Sequence, residues 1–139
     1  MTQDRVHQDE QIVRRSADAF GRALAHGEVE LFVELLDQEV EFELASPVKG
    51  GAVSFHGCAE VRRYLGEMAE EYTEMVLTPQ EVRELVPGRF LMLGVWRGRV
   101  RGGTRFGTPL AAIIELRDGK VVRMRGFMDE QQALTAARS

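Results

Sequence analysis

The apolar positions change period part-way along the chain. In "DEQIVRRSADAFGRALAHG", Val13, Ala17, Phe20 and Leu24 recur at three- and four-residue spacing, which makes one stripe of an amphipathic helix. Gly27 ends it, and "EVELFVELL" predicts a short second helix with Leu31, Phe32, Leu35 and Leu36 apolar. "EVEFELA" then alternates strictly, Val40, Phe42 and Leu44 against Glu39, Glu41 and Glu43, the pattern of a half-buried strand. "SPVKGGAVSFHG" predicts a loop with a short extended piece over Val53–Phe55. "CAEVRRYLGEMAEEY" returns to helical period through Val61, Tyr64, Leu65, Met68 and Tyr72. From Thr73 onward, long strands are punctuated by "PG", "GG" and "DG". The expected fold is α+β: a cone-shaped, curved antiparallel sheet around three helices of the N-terminal half, closed by a short C-terminal helix.

The turns carry this to a register. A two-residue type I′ turn at Asp118-Gly119 sets Arg117 opposite Lys120, and hence Ile113 opposite Met124 and Ala111 opposite Gly126. A similar turn at Gly102-Gly103 sets Trp96 opposite Pro109 and Met92 opposite Ile113. One face then gathers Met92, Trp96, Pro109, Ala111, Ile113, Val122, Met124, Gly126 and Met128; the other gathers Leu93, Val95, Leu110, Ala112, Ile114 and Phe127. Both are apolar at the centre, so both call for cover. Helices supply one cover, and the other implies a homodimer joined through the outer sheet face.

Composition narrows the function. The chain has 139 residues, the size of one domain spanning 1–139 with a real core. Its net charge of −4 does not favour nucleic acid or an anionic membrane. The single cysteine, Cys58, permits no internal disulfide and suits a cytoplasmic setting. No segment has the continuous apolar length that spans a bilayer. The histidines at 7, 26 and 56 have no metal-ligand spacing, so no metal or other cofactor is expected. "GRVRGGTRFGTP" is glycine-rich but falls on a hairpin and opens no helix, which excludes a phosphate cradle. The stripe Arg97, Arg99, Arg101 and Arg105 reads as a solvated, salt-bridged face.

"FHGCAEVRRYL" at the third helix and "LRDGKVVRMRGFMDEQQAL" at the close of the sheet resemble the SnoaL-like branch of the nuclear transport factor 2-like superfamily, over nearly the whole chain. The resemblance implies a pocket between the curved sheet and the helices, with dimerisation through the outer sheet face common. It implies no single activity, because the superfamily hosts isomerases, cyclases, hydrolases, dehydratases and non-catalytic modules. Ketosteroid isomerase-like members place a base Asp before a Pro where this chain has Ser46, an enolate-stabilising acid where it has Ala111, and a tyrosine near Phe20. Limonene epoxide hydrolase-like members place an inward Asp where this chain has Gly126, and paired Arg and Asp near "GVWRGRV", which holds no acid.

What remains is an apolar lining: Phe20, Phe42, Leu44, Phe55, Met68, Met92, Trp96, Ala111, Ile113, Met124, Gly126 and Met128, with Ser46 at the edge. Such walls suit a polyketide, terpenoid, steroid-like or aromatic molecule, or simply fill the core. Three polar residues are the candidate catalytic groups. His56, at the rim, is a structural hydrogen-bonder or a general base near neutral pH. Tyr64 is a core tyrosine or a donor to a ligand carbonyl. Asp129 before "EQQAL" matches an N-cap with Gln132 at N3, although acids at this point have catalytic roles in some SnoaL-like proteins. Glu81 and Arg83 point outward or into the pocket according to the length of the Pro87-Gly88 turn. The expected function is binding of a small lipophilic molecule in the cone, with cofactor-independent isomerase, cyclase or dehydratase chemistry. The alternative is a non-catalytic dimeric module for protein or ligand binding.

Overall fold

A computed structural model describes residues 2–45 and 52–138. Its elements run α1 Thr2–His26, α2 Val29–Val33, β1 Leu36–Ala45, β2 Ala52–His56, α3 Gly57–Ala69, β3 Tyr72–Val86, β4 Arg89–Val100, β5 Arg105–Arg117, β6 Lys120–Phe127 and α4 Glu130–Ala137. The six strands form one curved, unclosed sheet in the order β2-β1-β6-β5-β4-β3. Neighbours are antiparallel except β1 and β6, which run parallel. The stripe Val13, Ala17, Phe20 and Leu24 is buried, and α1 lies along β3 and β4. Gly27, at φ 71°, closes α1 by donating its N–H to the Ala23 carbonyl at 2.9 Å, a left-handed cap that glycine adopts without strain. The second helix is shorter than expected, because Leu36 already pairs with Val121 at the start of β1.

Asp118 and Gly119 both have positive φ, 53° and 77°, and Arg117 pairs with Lys120, as a type I′ turn requires. The expected register fails one residue later. Leu116 pairs with Val121 but Glu115 pairs with Arg123, so Val122 is the extra residue of a β-bulge. The β4–β5 connection is also longer than a two-residue turn: Arg99 pairs with Arg105, and Gly103 donates to the Val100 carbonyl at 2.9 Å. Each departure shifts one hairpin by a single position, and a one-residue slip turns every side chain over. Both fall on β5. Ala112 and Ile114, not Ala111 and Ile113, therefore sit between Met92 and Phe90 on one side and Gly126 and Met124 on the other. Strand β4 keeps the expected faces, and β6 keeps them at Met124 and Gly126, while Val121, not Val122, joins the main core.

Ala111 and Ile113 belong instead to the outer face. There, with Leu91, they are buried beneath Ala133 of α4 in a second apolar cluster, flanked by Leu85, Leu93, Phe127, Leu134 and Ala137. Arg89 Nη1 donates to the Ala137 carbonyl at 3.0 Å and Arg125 Nη1 to that of Ala136 at 3.2 Å. Two cations thus meet the carbonyl end of the helix, the favourable pole of its dipole. The cover expected from a partner subunit is provided, at the centre of this face, by the chain's own C-terminal helix.

Two glycines let β3 and β4 approach. A Cβ built on Gly94 would lie 2.6 Å from the Thr78 carbonyl oxygen, and one on Gly98 would lie 2.6 Å from that of Glu74. Both obstacles are backbone atoms of the neighbouring strand. We expect Gly98→Ala to destabilise the fold by about 1–3 kcal/mol, measurable as a lowered denaturant midpoint with an unchanged m-value. An unaltered midpoint would show that the strands can separate freely.

Candidate functional site

Between α1 and the concave side of the sheet lies an apolar cavity of about 20 Å³. Six of the lining residues expected from the sequence border it: Phe20, Leu44, Met92, Trp96, Met124 and Gly126. Six others also do: Ser16, Ala17, Leu77, Leu110, Ala112 and Ile114. The β5 members were hidden by the bulge. Its one sequence signal is the adjacent apolar pair Val121-Val122, which breaks alternation directly after the turn. Among the described residues, no ionisable side chain lines the cavity. Phe20 anchors the wall by edge-on contacts with Phe32 and Trp96, centroids 5.3 Å and 5.5 Å apart, arrangements favoured by the ring quadrupoles. The Ser16 hydroxyl donates to the Val13 carbonyl at 2.7 Å, which commits its proton inside the helix.

The remaining lining candidates lie elsewhere. Phe42 and Met68 are buried in the main core without bordering the cavity. Phe55 packs on Tyr64 with centroids 4.3 Å apart. Ala111 and Ile113 lie on the outer face under α4, and Met128 is exposed beyond the end of β6. Ser46 falls outside the described residues.

The three catalytic candidates stand apart. His56, at the N-cap position of α3, is exposed; its Nε2 lies 2.9 Å from Glu39 Oε2, and its backbone N–H donates to Glu60 Oε1 at 2.9 Å. The hydrogen bond to Glu39 raises its pKa above the usual histidine value of 6.5, helped by the charges of Glu39, Glu41 and Glu60. Tyr64, half-buried on α3, has its phenol pKa raised by burial and then by Glu71. Burial, then Tyr64 and Glu71, pushes Tyr72 up to about 12. Both phenols therefore stay protonated at neutral pH and act as donors rather than bases. Asp129 Oδ1 accepts from the Gln132 N–H at 2.8 Å, capping α4. Among the described residues, no hydrogen bond joins any two of these three.

Glu81 and Arg83 are exposed and lie 3.2 Å apart, with Arg83 also 3.6 Å from Glu130 of α4. The Pro87-Gly88 turn has two residues, but register shifts flanking Gln80 and Leu85 aim the pair away from the cone. Asp9, a largely buried acid that sequence reasoning passed over, accepts from Arg5 at 3.0 Å and is not part of the cavity wall. Among the described residues, no group of three or more His, Cys, Asp or Glu is placed to hold a metal, and no helix is long and apolar enough to cross a membrane.

With a helix-backed curved sheet and an apolar interior established, comparison identifies the class: the profile of the SnoaL-like domain family matches residues 13–124, and the chain belongs to that family. No curated protein matches it. Solved structures share the fold. An NTF2-like protein from Anabaena variabilis ATCC 29413 is 16% identical, with 88% of this chain and 91% of that one covered and a TM-score of 0.72. An NTF2-like protein of unknown function from Burkholderia pseudomallei K96243 is 22% identical, with 92% and 95% covered and a TM-score of 0.71. TerC, co-crystallised with polyporic acid, is 20% identical, with 95% and 99% covered and a TM-score of 0.68.

Two outcomes follow from these local geometries. Asp129→Ala should lower stability by about 1 kcal/mol, the worth of an N-cap bond, read as a shifted thermal midpoint; no shift would remove the capping role. In an NMR titration, His56 should lose its proton above pH 6.5, and Glu39→Gln should return the midpoint towards the ordinary value. Because the folded pKa is the higher one, any stabilisation from the pair is present at low pH and fades as pH rises through that midpoint.

Proposed function

We propose that this SnoaL-like chain binds a small, flat, lipophilic molecule in its cone and does not itself transform it. The observation that carries this reading is the chemistry of the wall, in which small Ala112 and Gly126 oppose each other among Met92, Met124 and Trp96, with no ionisable group among the described residues. Such a surface holds a ligand by dispersion and burial. Isomerisation, cyclisation or dehydration would need a proton donor or acceptor at the ligand, and His56, Tyr64 and Asp129 are outside this wall. TerC, the relative seen with polyporic acid, supports an aromatic ligand class.

The cavity of about 20 Å³ is room for about one water, whereas a cavity of about 150 Å³ accommodates benzene. Entry of a ligand therefore requires the wall to yield, and unbranched Met92 and Met124 are the side chains best able to do so. Half-buried Cys58, the lone and free cysteine, fits a cytoplasmic setting. A homodimer through the outer sheet face would use what α4 leaves bare, a strip with half-buried Val95 beside exposed Pro109.

Trp96 is the single tryptophan and borders the cavity, so its emission reports occupancy. Titration with flat aromatic quinones should quench it saturably, and Ala112→Leu should weaken binding by about tenfold or more by filling the space. A Trp96 signal indifferent to every compound, with equally unmoved methionine methyl resonances, would refute the reading. Sedimentation equilibrium giving a monomer at micromolar concentration would dispose of the dimer.

A further inference from the structure

The arginine stripe of β4 and β5, expected from the sequence to be a salt-bridged face, is only partly neutralised. Arg97 and Arg99 stand two positions apart on β4, and Arg105 of β5 is the register partner of Arg99. Strand alternation puts all three on the outer face, opposite to Trp96 and Gly98. Like charges set directly across from each other on neighbouring strands repel. Here a third cation stands beside such a pair.

One carboxylate answers them among the described residues. Glu74, the β3 partner of Arg99, brings Oε1 to 4.0 Å from Arg105 Nη2, beyond hydrogen-bond length. Arg97 and Arg99 form no ion pair among the described residues, and the Nε of half-buried Arg99 is closed off from solvent without an acceptor. A buried donor in that condition is costly. The next cation along, Arg101, turns away to donate its Nε to the Glu70 carbonyl at 2.7 Å. Gly107, in register beside Arg97, decides where that side chain goes: the Arg97 Cγ lies 3.8 Å from the point a Cβ on Gly107 would occupy. The Arg97 stem therefore leans over β5, the strand that carries Arg105.

Three cations against one carboxylate leave an excess of two positive charges, which a dianion neutralises and a monocarboxylate does not. Guanidinium forks match the oxygens of a tetrahedral oxyanion. We propose that Arg97, Arg99 and Arg105 bind a phosphate dianion, carried free or as a monoester. Exposed Arg97 and Arg105 hold it from two strands, and Arg99 supplies the charge beneath it. Val76, 58% exposed beside Arg97, offers an apolar shelf to the organic part of an ester. The site is on the opposite face from the cone and does not depend on what the cone holds.

The test is NMR of the full chain titrated with inorganic phosphate and with phenyl phosphate at about pH 7.5, where both are mainly dianionic, at fixed ionic strength and with acetate as the singly charged control. The expected result is saturable shifts confined to residues 74–76, 97–99 and 105–107 and to the Arg99 Nε–H, with the Met92 and Met124 methyl resonances unmoved and acetate binding about tenfold more weakly. Tighter binding of phenyl phosphate assigns an ester, and equal binding assigns the free anion. Arg97→Gln, at an exposed position without an ion pair, should leave the fold intact and weaken binding by about threefold or more, as for a solvent-screened contact. Glu74→Gln, which removes the competing carboxylate, should tighten it by about twofold or more. No saturable shift, an equal response to acetate, native affinity in Arg97→Gln, or weaker binding in Glu74→Gln would each overturn the proposal.

Discussion

The sheet can curve around α1 only because β3 and β4 come closer at two points than side chains permit. At Gly94 and Gly98 the carbonyl oxygens of Thr78 and Glu74 occupy the space a Cβ would need. Around these contacts the β3–β4 register slips between Pro79 and Glu81, and again near each end of the pair. Extra residues in one strand raise its local twist and bend it. The bent sheet then places Met92 and Trp96 over Phe20, and the interior is defined by that approach. Small residues at the close passes and large ones between them are two halves of a single packing requirement.

Most of the architecture was legible in the residues, and the part that was not has one physical origin. Helical spacing located α1 and α3, strict alternation located β1, and Asp118-Gly119 announced its turn type through the only positive φ at a non-glycine residue among those described. Periodicity gives the faces of an unbroken strand, but it is blind to an inserted residue. A single bulge at Val122 and a slightly longer β4–β5 loop therefore exchanged Ala111 and Ile113 for Ala112 and Ile114, while leaving Met92, Trp96, Met124 and Gly126 on the expected side. The chemical character of the interior survived the exchange because β5 is apolar on both faces. The apolar second face was also visible, but not its cover: α4 is short, and its amphipathic signal is hard to tell from an ordinary solvent-facing helix.

Electrostatics divides the molecule in a corresponding way. Among the described residues the cavity wall carries no charge, whereas one side of the outer face carries a row running His56, Glu41, Arg123, Glu115 and Arg89 across five strands. Alternating signs in such a row attract each neighbouring pair across the sheet. Glu115 Oε2, Arg89 Nε and Arg125 Nε remain buried without hydrogen-bond partners, so the row is incompletely satisfied where it passes beneath α4, and that is its softest point.

The docking of α4 also orders events in time. Eight residues are too few to hold a helix in water unaided, and the donors that receive its last turn, Arg89 and Arg125, stand on different strands separated by β5. The helix has nothing to fold against until β4, β5 and β6 are assembled. It is thus the closing step of folding and the opening step of unfolding. Its amides belong among the fastest-exchanging of the regular elements, while Leu91 and Ile113 beneath it are shielded only as long as that brief contact lasts.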